Sequence, residues 1–133
     1  MATVPVLTDD QLSPEAKAVF DDIRATRGSD FVNNIWRGLA FDPALLKRTW
    51  EGLKDVMAQP GALDPKTREM IYVAVSIANS CDYCVHSHTA AARAKGMTDA
   101  EYADLVQIVM LASATNAMAN ALRVPVDPEF QTG

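Results

Sequence analysis

Cysteine and histidine are nearly missing from this chain: each occurs twice in 133 residues. That scarcity argues against a disulfide-stapled scaffold and leaves no second cluster from which a four-ligand zinc site could be completed. Aromatic residues are few, at 7%. Positive charge is not in excess: 12 Lys and Arg stand against 17 Asp and Glu, for a formal net charge of −5, and the basic residues are scattered. Neither a nucleic-acid backbone nor an anionic membrane is therefore expected as a partner. No segment reads as the run of about 20 apolar residues that a membrane span needs. The N-terminus, MATVPVLTDD, lacks a cationic start and meets acids at Asp9 and Asp10, so it is not read as a secretory signal. The cytoplasm is the expected compartment. There, two cysteines at Cys-x-x-Cys spacing point to catalysis or metal binding before a structural staple.

A hydrophobic fraction of 49% supports a packed core. The length suits one domain, with residues 1–12 as an irregular arm. Ser13-Pro14-Glu15 is a helix start: a capping serine, proline at the first helical position, then an acid. Ala16, Val19, Phe20 and Ile23 continue it as an apolar stripe, and Gly28 ends it. A short apolar segment follows from Phe31 to Phe41. Asp42-Pro43 and Asp64-Pro65 repeat one start signal. The first opens a helix to about Met57, with Leu45, Leu46, Trp50, Leu53 and Val56 facing inward. The second opens a helix that carries Glu69 and ends near Asn79-Ser80. Another begins near Cys81 and stops at Gly96. Thr98-Asp99-Ala100-Glu101 is a capping box opening a long helix toward Leu122, whose segment Ala112–Ala121 is rich in small residues and permits close helix approach. The tail from Val124 is expected to be extended. With no strand alternation, repeat or linker, the chain is expected to be all-α, a single-domain bundle of about five to seven helices.

All the scarce residues fall in one stretch, Cys81-Asp82-Tyr83-Cys84-Val85-His86-Ser87-His88. At 100° per residue, with Cys81 at zero, Cys84 lies at about 300°, His88 at about 340° and His86 at about 140°. Cys81, Cys84 and His88 thus share a face, and His86 points away, toward solvent or a subunit boundary. Cys84 and His88 are an i, i+4 pair, one turn apart. Three readings stay open on this evidence. Thiol redox chemistry fits best, because a helix N-terminus and a neighbouring imidazole both favour the thiolate, and the second cysteine can close a disulfide. A four-ligand metal site fits poorly, since His86 cannot join the other three, although a site completed by Asp or Glu is conceivable. A purely structural pair of buried thiols is the third. Glu69, with Val73 and Ser76 on its face, reads from local pattern as a first-turn carboxylate before it reads as part of a relay. Trp36 and Trp50 read as core or subunit contacts. Asn116 and Asn120 read as a buried pair bonding a neighbouring helix end, and the methionines as core filler.

The spacing Glu69, eleven residues, Cys81-x-x-Cys84, three residues, His88 resembles the alkylhydroperoxidase D-like branch of the carboxymuconolactone decarboxylase family. The resemblance covers about residues 40–130, including the Asp-Pro helix starts and the Val-Pro-Val-Asp-Pro that follows the last helix. It implies an all-helical fold assembling as homo-trimers or homo-hexamers, and reduction of a hydroperoxide substrate by a cysteine pair recharged by a thiol reductant. It implies a proton relay in which Glu69 and His88 serve Cys81 and Cys84. No cofactor and no metal are expected. One departure is Tyr83, where alkylhydroperoxidase D has histidine; a tyrosine donates a hydrogen bond but is no base near neutral pH.

Two arguments bear on which cysteine attacks. The helix dipole favours Cys81. Proximity to His88 favours Cys84, as does the resemblance, so Cys84 is expected to be peroxidatic and Cys81 resolving. The alternatives are a disulfide oxidoreductase acting on a partner thiol, and a decarboxylase or lactone-type enzyme of the same fold, which would not rely on the cysteine pair.

Overall fold

The structure, a computed structural model, describes residues 1–131. Among them are six α-helices and no strand: α1 (Pro14–Arg27), α2 (Asn34–Leu39), α3 (Pro43–Met57), α4 (Pro65–Ala78), α5 (Asp82–Ala94) and α6 (Asp99–Leu122). Short 3-10 turns lie at Asp9–Gln11 and Pro128–Phe130. Two compact units divide the chain, Met1–Gly61 and Ala62–Gly133.

Four of the helix starts read from the sequence are each made by an oxygen-bearing side chain. Ser13 Oγ accepts from the Ala16 N–H at 3.1 Å, Asp42 Oδ1 from Leu45 at 3.0 Å and Asp64 Oδ1 from Thr67 at 3.0 Å. At α6 the capping box closes both ways, Glu101 N–H to Thr98 Oγ1 at 3.1 Å and Thr98 N–H to Glu101 Oε2 at 2.8 Å. Each cap satisfies a donor that the first turn would otherwise leave orphaned, worth about 1 kcal/mol.

The first unit packs α1 and α2 against α3. Phe20, Ile23 and Leu46 are fully buried with Trp36 and Trp50, whose rings meet edge to face at 5.4 Å and 82°. The two tryptophans are core residues. Trp50 Nε1–H donates to Asp22 Oδ2 at 2.6 Å, and Lys54 Nζ donates to the same carboxylate at 2.9 Å. The arm before α1 is more ordered than expected. The Asp9 carboxylate takes Arg24 at 2.6 Å and Arg37 at 2.9 Å, and Arg37 also donates to the Leu7 carbonyl at 3.0 Å.

The second unit holds α4, α5 and α6. The α4–α5 connection is three residues long. Ser80 takes the left-handed conformation, φ 56°. Its N–H donates to the Ile77 carbonyl at 3.1 Å, and the Cys81 N–H to the Ser76 carbonyl at 3.0 Å. That pair of bonds is a Schellman closure of α4. α5 ends the same way: Gly96, at φ 95°, donates to Arg93 at 3.0 Å and Met97 to Ala92 at 3.0 Å. Met97 is buried behind the turn.

Several expectations are corrected. Val56 is 67% exposed; it lies about 80° around α3 from Leu46, outside the arc that Leu46, Trp50 and Leu53 span. α6 buries only Leu105, and Val106, Met110, Asn116 and Asn120 are exposed, so the asparagine pair is not buried against a neighbouring helix end among the described residues. Met1, Met110 and Met118 are likewise exposed and fill no core. α6 is also long and apolar enough, by length and composition, to cross a membrane. Its apolar run is not unbroken, but Gln107, Ser113, Thr115, Asn116 and Asn120 interrupt it without adding charge: Leu105 to Leu122 carries no Asp, Glu, Lys or Arg.

Candidate active site

Cys81 is both the last residue of the α4 closure and the N-cap of α5. Its backbone N–H completes the α4 Schellman turn, and its side chain caps α5, with Sγ accepting the Cys84 N–H at 3.3 Å. Cys81 therefore sits at the N-cap, outside the helix proper, while Cys84 is the third residue of α5. The two sulfurs lie at disulfide distance and the two Cα atoms are 5.4 Å apart. Both cysteines are half-buried, whereas Asp82, Tyr83 and His86 beside them are exposed. His86 thus faces outward as its helical angle requires.

One turn beyond Cys84, His88 turns its ring toward α4. Its Nδ1 lies 2.7 Å from Glu69 Oε2, and its face stacks on Tyr72, ring centroids 3.6 Å apart. Glu69 is 7% exposed. Its other oxygen, Oε1, accepts from Lys95 Nζ at 2.9 Å. Burial alone would raise the Glu69 pKa. The hydrogen bonds from His88 and Lys95, together with the lysine's charge, outweigh that and hold it below the ordinary carboxylate value. An ionised carboxylate only accepts hydrogen bonds, so Nδ1 carries a proton, and in the neutral imidazole Nε2 is the nitrogen with the lone pair.

The four residues singled out in the sequence thus lie on two packed helices, Glu69 on α4 and Cys84 and His88 on α5, with Cys81 at their junction. The first-turn surface reading of Glu69 is set aside, because the residue is buried and bonded on both oxygens. Lys95 and Tyr72 escaped the sequence reading. Both were findable by periodicity: Tyr72 is one turn from Glu69 on α4, and Lys95 is seven residues, about two turns, beyond His88 on the same face of α5. Among the described residues, no group of three or more His, Cys, Asp or Glu gathers as a metal-holding set.

Comparison with known proteins agrees with the all-helical fold. The model of the carboxymuconolactone decarboxylase family matches residues 43–127. A crystal structure of the alkylhydroperoxidase AhpD core from Rhodospirillum rubrum superposes with a TM-score of 0.96 at 68% identity, covering 100% of this chain and 99% of the other. A Paracoccus denitrificans protein called uncharacterized protein 4 in cox locus is 32% identical over 92 residues, which is 68% of this chain and 78% of that protein.

Proposed function

Since the chain belongs to the carboxymuconolactone decarboxylase family, in its alkylhydroperoxidase D-like branch, we propose that it is a thiol-dependent peroxidase that reduces hydroperoxides through Cys84 and Cys81. The observation that carries this reading is the buried Glu69–His88 bond at 2.7 Å, one turn from a cysteine pair at disulfide distance.

His88 Nε2 takes the Cys84 thiol proton, and Glu69 holds the imidazolium that forms. The Cys84 thiolate attacks one peroxide oxygen. The O–O bond breaks, Cys84 becomes a sulfenic acid, and the departing alkoxide takes a proton from His88 to leave as an alcohol. Cys81 then attacks the Cys84 sulfur, forming the Cys81–Cys84 disulfide and releasing water. Two thiols have lost two electrons and one hydroperoxide has gained them. A thiol reductant returns both electrons with two protons by exchange through a mixed disulfide. This cycle needs a compartment that keeps thiols reduced, in keeping with the cytoplasm.

The exposed apolar face of α6 supports assembly into homo-trimers or homo-hexamers. The exposed side chains Ile108, Leu111 and Met118 are of the kind that subunit packing covers.

The test uses the reduced full chain with an organic hydroperoxide. Wild type should consume it catalytically when a dithiol is supplied. Cys84→Ser should lose turnover. With no dithiol present, reduced Cys81→Ser should consume about one equivalent and stop at the sulfenic acid. If Cys84→Ser matches wild type, the assignment of the attacking sulfur fails; if both variants do, the peroxidase reading fails with it.

One observation favours a second reading, a disulfide oxidoreductase on a partner thiol. Cys81 caps α5 through its sulfur, the position at which a helix most favours a thiolate. That activity would reduce a model disulfide rapidly with little peroxide turnover. A decarboxylase or lactone-type activity would instead survive loss of both cysteines.

A further inference from the structure

Lys95 stands at the end of α5, outside the four-residue proposal, yet its ammonium reaches the same buried carboxylate that holds His88. Its placement is built rather than incidental. It is the last residue before the left-handed Gly96, and its own N–H closes on the Ala91 and Ala92 carbonyls at 3.2 and 3.1 Å. The backbone of α5 therefore fixes where the lysine stem begins. From a partly exposed position, its side chain 37% exposed, the lysine reaches a Glu69 side chain that is 9% exposed. Glu69 divides its two oxygens between an amine and an imidazole, Oε1 to Lys95 and Oε2 to His88.

We propose that Lys95 is a positioning residue for the peroxidatic base: it anchors one oxygen of Glu69, fixes the other on His88 Nδ1, and limits how strongly the carboxylate stabilises the imidazolium. This rests on the peroxidase reading only for its catalytic meaning. The charge relationship among Lys95, Glu69 and His88 stands without it.

A carboxylate paired only with His88 would favour the imidazolium strongly, and a histidine already protonated cannot take a thiol proton. The lysine offsets that pull in two ways. It neutralises part of the carboxylate charge, and its own positive charge opposes a second one nearby. Removing it should therefore raise the pH at which His88 titrates. The other groups near the pair leave this sign unchanged. From α4 come Glu69 and Tyr72, and from α5 come Cys84 and Lys95. On α6, which packs against α4, the first-turn acids are engaged elsewhere, Glu101 by Lys66 at 2.7 Å and Asp99 by Arg93 at 2.7 Å.

The experiment follows the histidine ring protons by NMR across pH in the reduced full chain, for wild type, Lys95→Met, Lys95→Gln and Lys95→Arg. With only two histidines in the chain, exposed His86 is an internal control. Both neutral variants should move the His88 midpoint upward by about half a pH unit or more, with Lys95→Arg close to wild type and His86 unmoved. The pH profile of peroxide consumption should shift the same way. A role in merely closing the end of α5 would lower the unfolding midpoint and leave the His88 titration in place. An unmoved His88 midpoint in both folded neutral variants overturns the proposal, as does an arginine variant that behaves like them. Failure of the peroxidase reading looks different: reduced wild type would leave the peroxide untouched while the His88 midpoint still responded to residue 95.

Discussion

Tyr72 and His88 lie face to face, ring centroids 3.6 Å apart and planes 20° from parallel, so the imidazole is fixed by a ring on one side as well as by Glu69 at its edge. The hydrogen bond to Glu69 sets which nitrogen carries the proton. The stack sets the plane in which the other nitrogen points. Tyr72→Leu should therefore slow thiol oxidation by about 2- to 10-fold, the equivalent of an aromatic pair's 0.5–1.5 kcal/mol, while Tyr72→Phe keeps the ring and should keep the rate. Stopped-flow peroxide consumption by both variants decides whether the ring or the hydroxyl matters; a phenylalanine variant as slow as the leucine one would move the role to the hydroxyl.

Glu69 links the site to acid stability. Its folded pKa is lowered, so the stability it contributes is present above its ordinary value of about 4.5 and is lost as pH falls through the lower folded value. Glu69→Gln should cost about 1–3 kcal/mol at pH 7, where it leaves Lys95 and His88 facing a neutral amide. The gap between variant and wild type should begin to narrow below about pH 4.5, where the carboxylate of the unfolded chain protonates, and close once pH falls through the lower folded value. Urea unfolding midpoints at stepped pH measure this; a gap constant with pH would mean that Glu69 contributes through shape alone.

Ser80 occupies a left-handed position, φ 56°, that glycine adopts without cost. Ser80→Gly should stabilise the chain by about 1 kcal/mol, raising the thermal midpoint by about 3–5 °C. Calorimetry reads this directly. Because the bonds of the turn run through backbone atoms, the reduced variant should keep its peroxide reactivity.

α6 bears on assembly. Light scattering should give three or six times the chain mass of 14.4 kDa. Replacing Ile108 and Leu111, both more than 60% exposed, by lysine should shift the population to monomer. Wild type that stays monomeric at micromolar concentration removes the assembly proposal, and co-flotation with vesicles would assign this helix to a lipid surface instead.

Much of the scaffold was legible because its punctuation is local. Ser13, Asp42, Asp64 and Thr98 cap helices through bonds three residues away, so each start is written in adjacent letters. The phase of Cys84 and His88 followed from helical geometry alone. Glu69 was less legible, since its partners His88 and Lys95 lie 19 and 26 residues away, across a helix pair whose packing no local pattern specifies. Only the family spacing recruited it. Val56 and the face of α6 were misjudged for a related reason. Apolar character says that a side chain can be buried, and the chain's own packing decides whether it is.

Cys81 closes the turn that ends α4 and caps the start of α5, so the three-residue connection serves both helices at once. The junction thus has no slack. Inserting a single amino acid between Glu69 and Cys81 would rotate one helix's contribution by about 100° and carry His88 off the carboxylate, whatever the inserted residue was. The stretch from Glu69 to Lys95 should accept changes of letter far more readily than changes of length. Its reading frame, counted in helical turns, is itself part of the active site.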